Sequence, residues 1–313
     1  MCIAPRQTWR VIHVTNQYLC FDIGGTNLKA GLLDANGGQI QPATSIPMAQ
    51  DLAAFWQQLF DIADQYVGQI AGIAVSVPGQ VDPQTGIVYH GGALPFLDQC
   101  PLQQTLAMRY QLPVAAENDG KAAALAENWR GSLQGCQNGL VLVLGTGVGG
   151  GLIIHNQLYR GSHFQAGELS MMLAASTAAP IKITGQTGSA VGMISAIAHE
   201  LQLPDEHDGR QVFAALAAGD PKALEMFNAY GHQVAQIILN VQAVMDLNVV
   251  AIGGGISAQP SVVPMIQRQY AELLEQLPMI RDTLSQPQIV AAKFHNQANL
   301  IGALAALLGM ATV

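Results

Sequence analysis

The chain has 313 residues, 50% of them hydrophobic and 11% charged, with a formal net charge of −8. The length suits two domains of ordinary size, and an acidic balance without a Lys/Arg cluster excludes nucleic acid as an expected partner. The longest apolar stretches, such as Ile301 to Met310, fall short of the ~20 residues that span a bilayer, which excludes a membrane.

A charge content so far below the usual ~25% points to surface covered by another subunit, so a homodimer or larger assembly is expected. Cys2, Cys20, Cys100 and Cys136 are scattered without C-x-x-C spacing, which suits a reducing cytoplasm and no structural zinc. Met1 to Gln17 holds arginines but no uninterrupted apolar core, so it does not read as a secretory signal.

From Tyr18 the pattern is strand, glycine turn, strand. Tyr18-Leu-Cys-Phe21 precedes Asp22-Ile-Gly-Gly-Thr26, and Leu28 to Leu33 follows it. The turn Asn36-Gly-Gly38 leads to a third strand from Gln39. Asp51 to Val67 carries apolar residues at helical spacing, with Asp51 as its cap. Ile70 to Val77 reads as a strand, Asp82 to Pro101 as a Gly/Pro-rich loop, Val114 to Ala116 as a short strand, and Asp119 to Trp129 as an alanine-rich helix.

Leu140 to Tyr159 then repeats the opening. Leu140-Val-Leu-Val-Leu144, the turn Gly145-Thr-Gly-Val-Gly-Gly-Gly151 and Leu152-Ile-Ile154 predict a hairpin, and His155-Asn156 turns into a third strand. Pro221 to Met245 reads as a long helix, Leu247 to Ile252 as a strand entering Gly253-Gly-Gly255, and Gln297 to Met310 as a terminal helix. Element order, not residue identity, is what repeats. The predicted class is α/β, with two similar domains and a cleft between them.

Both glycine turns join strand to strand. Gly145-x-Gly147-x-x-Gly150 therefore does not meet the dinucleotide fingerprint, which requires a helix after the glycines. Successive bare amides in a hairpin still form an anion-binding nest, and two of them suggest a phosphate tail gripped from both sides. Glu117-Asn118-Asp119 stands where a strand gives way to a helix. Its default role is helix capping, but strand ends in α/β domains collect ligand-handling residues, and Asp119 is a candidate base. Glu168, by default a solvated loop residue, offers a carboxylate to neighbouring sugar hydroxyls. Gly253-Gly-Gly255 is either a tight turn or a flat backbone surface for a purine.

Together these segments resemble the ROK family of bacterial sugar kinases and regulators, within the actin-like ATPase superfamily. The resemblance runs from about Tyr18 to the C-terminus. It also takes in Val77-Pro-Gly79 with Val81-Asp82, Gly91-Gly-Ala-Leu94, Ala122 to Glu127, Tyr159-Arg-Gly161 and Ala166-Gly-Glu168. It implies two actin-like (ribonuclease H-like) domains, residues 18–116 with 297–313 and residues 117–296. It implies ATP with Mg²⁺ in the cleft, held by Asp22, Gly24, Gly25, Thr26 and Asn27, by Gly145, Thr146, Gly147 and Gly149, and by Gly253, Gly254 and Gly255. Asp119 falls on the catalytic base, and Gly79, Asn118, Asp119 and Glu168 on sugar-binding positions.

One departure stands out. The family usually follows its Gly-Glu with x-Gly-His and a cysteine-rich zinc loop, whereas here the segment is Gly167-Glu-Leu-Ser-Met171 and no cysteine follows Cys136. The zinc site is expected to be absent, for want of thiolate ligands. The glutamate that follows the zinc loop has no counterpart between Thr184 and Gly192. Met171 replaces the histidine that touches the sugar. Either it opens that end of the site, or it packs in the core while His163 or His90 supplies the bond.

The leading reading is an ATP-dependent hexose or β-glucoside kinase acting at the 6-hydroxyl. A sugar-responsive repressor would carry a helix-turn-helix ahead of the first glycine turn, and Met1 to Gln17 lacks two helical periods. A non-catalytic sugar sensor is disfavoured by the presence of Asp119 and both phosphate turns.

Overall fold

The computed structural model describes residues 16–174 and 180–310. The N-terminal stretch, up to residue 15, lies outside the described residues.

The first half comprises β1 (Gln17–Ile23), β2 (Asn27–Asp34), β3 (Gln39–Pro47), α1 (Leu52–Ala63), β4 (Gly72–Val77), β5 (Gln80–Val81), β6 (Ile87–Tyr89), β7 (Cys100–Pro101), α2 (Leu102–Tyr110), β8 (Val114–Asn118) and α3 (Asp119–Arg130). The second comprises β9 (Gly139–Leu144), β10 (Val148–Ile154), β11 (Gln157–Tyr159), α4 (Thr184–Thr187), α5 (Ala190–Glu200), α6 (Gly209–Ala217), α7 (Pro221–Met245), β12 (Val249–Gly253), α8 (Val262–Glu275), α9 (Pro278–Thr283), β13 (Gln288–Ala291) and α10 (Ala298–Leu307).

Two five-stranded sheets share one topology. Their strand orders are β3-β2-β1-β4-β8 and β11-β10-β9-β12-β13. In each, the first three strands meander antiparallel and the remaining two join parallel to the first. This duplicated arrangement is the actin-like, ribonuclease H-like fold.

Burial explains the composition of the strands. Leu19, Phe21 and Ile23 of β1 pack outward with Phe55 and Leu59 of α1 and Leu102 and Leu106 of α2, while Cys20 between them faces the other way. Likewise Leu140, Leu142 and Leu144 of β9 join Val234 and Ile238 of α7 and Ile266 of α8, and Val141 faces inward. Strands covered on both faces read as unbroken apolar runs. The edge strand β3 is exposed along almost its whole length and carries Pro42, as edges tolerate.

The layer between the sheets is made by α3 and α10, which pack on each other; α10 also lies against β1, β4 and β8, and α3 against β9 and β10. Their alanine-rich faces, Ala123 to Ala126 and Ala303 to Ala305, are fully buried there. Small residues let the backbones close up. At Gly302 any side chain would collide with the Ala122 carbonyl.

Asp51 caps α1 as the sequence predicts, its Oδ1 accepting from the Ala54 N–H at 2.9 Å. Two expectations need correction. Asp82–Pro101 is not a bare loop: it carries β6 and β7, and β6 pairs with β5 and β7 in a small three-stranded sheet. The second glycine turn is also shorter than expected, because Gly149, Gly150 and Gly151 already pair with β9. No helix among the described residues is long and apolar enough to cross a membrane.

Candidate active site

Both glycine turns are hairpin tips. The Gly24 N–H donates to the Asn27 carbonyl at 2.9 Å, and the Gly145 N–H to the Gly147 carbonyl at 3.1 Å. Gly25 and Thr26 from one turn, and Gly145, Thr146, Gly147 and Gly149 from the other, line a single cavity of about 1070 Å³. Gly79, Asn118, Asp119 and Glu168 line it too. Residues far apart in the chain thus meet because the ends of β1, β4, β8 and β9 converge between the two sheets.

Asn118 organises the junction of β8 and α3. Its Oδ1 accepts from the Lys121 N–H at 3.1 Å, which caps the helix. Its amide donates to the Gly79 carbonyl at 2.9 Å and to Asp119 Oδ1 at 3.1 Å. Gly79 holds φ +94, and a Cβ there would press on the Gly91 backbone at 3.0 Å, so this position requires glycine. Capping and ligand handling are not alternatives at this junction; Asn118 performs the first while facing the cavity.

Asp119 is partly buried and accepts from the Gly120 N–H at 2.7 Å. Removal from water pushes its pKa up to about 6 against the pull of that N–H. The charges of Asp22 and Glu168 raise it further, and Lys121 lowers it. A carboxylate poised this near neutrality suits proton acceptance.

Other expected residues stand back from the lining. Asp22 is buried, with Lys29 Nζ at 3.2 Å on Oδ2 and the Asn299 amide at 2.9 Å on Oδ1. Gly24 and Asn27 shape the first turn from behind. Gly253 ends β12, and Gly254 follows at φ +91, where any side chain would strike the Leu144 carbonyl. Gly255 lines a second cavity of about 540 Å³, with Phe213, Ile194 and Arg210. The two cavities share Gly145.

Met171 is not a core residue: it is 72% exposed and lines the main cavity. His90 lines that cavity as well, and His163 does not.

Sequence reading missed residues that shape the site, Ser170, Asn299 and Lys121 among them. Ser170 Oγ accepts from the Val148 N–H at 2.9 Å and ties the Glu168 segment to the second turn. Asn299 reaches the cavity from α10. Lys121 is 1% exposed, with its ammonium 3.2 Å from Glu168 Oε1. A lysine directly before the apolar run Ala122 to Ala126 was the available signal, since buried charges demand partners.

Residues 18–309 match the model of the ROK family. A β-glucoside kinase from Listeria innocua is 34% identical, the match covering 91% of this chain and 95% of that protein. A glucokinase from Halalkalibacterium halodurans is 29% identical over 91% and 93% of the two chains. Among solved structures, a ROK family protein from Streptococcus pneumoniae in complex with sucrose superposes with a TM-score of 0.80 at 31% identity, covering 93% of this chain and 98% of that one.

Proposed function

Since the chain belongs to the ROK family, we propose that it is an ATP-dependent sugar kinase, transferring the γ-phosphoryl group to a hydroxyl, the 6-hydroxyl, of a hexose or β-glucoside. The observation that carries this reading is the convergence in one cavity of two amide-rich turns with a carboxylate of raised pKa. Asp119 takes the proton of the acceptor hydroxyl while its oxygen attacks phosphorus and ADP leaves. Positioning and electrostatics supply most of the catalysis in such transfers. Amides of the turns at Gly25 and Gly145–Gly147 cradle the phosphates, and the purine extends past Gly145 toward Gly255.

The acceptor lies against Gly79, Asn118 and Glu168. The reading takes residues 18–116 with 297–313 and residues 117–296 as two domains that close on it and exclude water; the packing of α10 on β1, β4 and β8 supports this division.

Mg²⁺ fits the donors present. The carboxylates of Asp119 and Glu168 line the cavity, and a hard cation that keeps phosphate and water ligands needs few protein groups. When bound, it neutralises charge on the transferred group. The reading includes no structural zinc: such a site takes four ligands, typically thiolates among them, and no cysteine follows Cys136. Metal analysis of the untagged protein should find well under one zinc per chain. Stoichiometric zinc whose chelation unfolds the protein would overturn this.

A coupled assay with ATP against glucose, fructose, mannose, N-acetylated hexosamines and cellobiose tests the function. Failure to turn over any of them would refute the kinase reading. Met171 sharpens the expectation at the anomeric end. A flexible thioether packs against an aglycone, and apolar contacts discriminate weakly, by roughly 10–200-fold. Cellobiose should therefore be used with kcat/KM within about 200-fold of glucose. A penalty beyond about a thousandfold, the domain of unpaired polar groups, would mean that this end is closed.

A further inference from the structure

Lys121 occupies an expensive position. Its side chain is 1% exposed, in a helix whose neighbouring residues Ala122 to Ala126 are all buried. It stands in the first turn of α3, where the helix dipole disfavours a cation. Burying an ammonium also costs more than burying a hydrocarbon of similar volume. A methionine would fill the same space without either penalty, so packing does not account for a lysine there.

What the ammonium touches is Glu168. It meets Oε1 at 3.2 Å, while the Glu168 side chain remains 40% exposed and lines the cavity. Oε2 has no hydrogen-bond partner among the described residues. The surrounding backbone is already set, with Gly167 at φ +87 and the Met171 N–H donating to the Glu168 carbonyl at 3.1 Å. The glutamate side chain is the part still free to rotate, so holding it in advance removes rotamer entropy that binding would otherwise cost.

We propose that Lys121 is a positioning residue for the acceptor: its buried ammonium holds Glu168 by one oxygen so that the other addresses the sugar hydroxyls. The inference rests on the sugar-kinase reading above and deepens it. The lysine charge is spent on preorganisation, which lowers the cost of binding without touching the reacting atoms. It also leaves the position of Glu168 independent of any metal loop.

The test is a double-mutant cycle with Lys121→Met, Glu168→Gln and the pair together, reading KM for the acceptor, KM for ATP and kcat. Lys121→Met should raise acceptor KM by about tenfold, the loss of one fixed rotamer-rich side chain. ATP KM and kcat should stay within about threefold when read well above pH 6, where losing the Lys121 charge near Asp119 leaves that carboxylate ionised in every variant. The double variant should match Glu168→Gln in all three constants, because a positioning residue has nothing left to position. That comparison holds even if Lys121→Met alone fails to fold, since the double variant contains no unpaired buried charge. An unchanged acceptor KM, a parallel loss in ATP KM and kcat, or a double variant clearly worse than Glu168→Gln would overturn the proposal. Absence of sugar turnover in the unaltered protein is a different result, and it removes the kinase reading together with this inference.

Discussion

Asp119→Asn should lower kcat for sugar phosphorylation by about 10²–10⁴-fold, the usual worth of a general base, and should not destabilise the protein. Asparagine keeps an Oδ1 that accepts from the Gly120 N–H and the Asn118 amide, as Asp119 Oδ1 does at 2.7 and 3.1 Å. The carboxylate itself is held in an unfavourable place. Its pKa of about 6 in the folded chain exceeds the ordinary value of 3.8, so the folded state binds this proton more tightly than the unfolded one. Stability from this group is therefore fully present below pH 4 and is lost as pH rises toward 6. A shift of this size corresponds to about 1–3 kcal/mol. Above pH 6, Asp119→Asn should melt a few degrees higher than the native protein; below pH 4 the advantage should vanish. The same value sets the acid limb of activity. In the native enzyme kcat/KM should fall as pH drops through about 6, because a carboxyl already protonated cannot take the proton of the hydroxyl. Retention of more than about half the native turnover by Asp119→Asn would remove the base assignment, and an acid limb near 4 would remove the pKa argument.

Arg160→Met should be the more damaging change to the fold. Glu117 is 1% exposed and meets Arg160 through one oxygen, with Nη2 at 2.6 Å and Nε at 3.0 Å. Its other oxygen accepts from the Asn118 N–H at 3.0 Å. Removing the guanidinium strands a buried carboxylate, at a cost of about 3–5 kcal/mol. That corresponds to a fall in Tm of roughly 10 °C. Glu117→Gln combined with Arg160→Met should recover most of the loss, which separates the ion pair from anything else Arg160 holds. Calorimetry showing less than about 1 kcal/mol lost by Arg160→Met would mean that the pair behaves as a surface salt bridge. Activity should follow stability, because the pair joins β8 to the loop that leads to Glu168.

Much of this site is local in sequence and was legible there. A strand, a glycine turn and a second strand are contiguous, so both hairpins follow from short-range pattern, and so does the strand-to-helix junction that carries Asn118 and Asp119. The repeat of element order was readable for the same reason, and it matches the two sheets of identical topology. The predicted loop at Asp82–Pro101 concealed β6 and β7 because strands of two or three residues have no periodicity to detect. Glycines 149–151 looked like turn, yet they pair with β9, since a strand backed by close-packed elements needs no side chains there.

The sequence by itself determined the glycine hairpins, the position of Asp119 and the membership of the family, all of which depend on residues adjacent in the chain. The tertiary structure alone decided which groups share a cavity. Lys121 reaches Glu168 across 47 positions and Asn299 reaches Asp22 across 277. It likewise decided that Met171 is exposed to the cavity and that the Asp119 carboxyl titrates near neutrality. Desolvation and charge–charge coupling act through space, and no pattern along the chain encodes a distance that folding has yet to create.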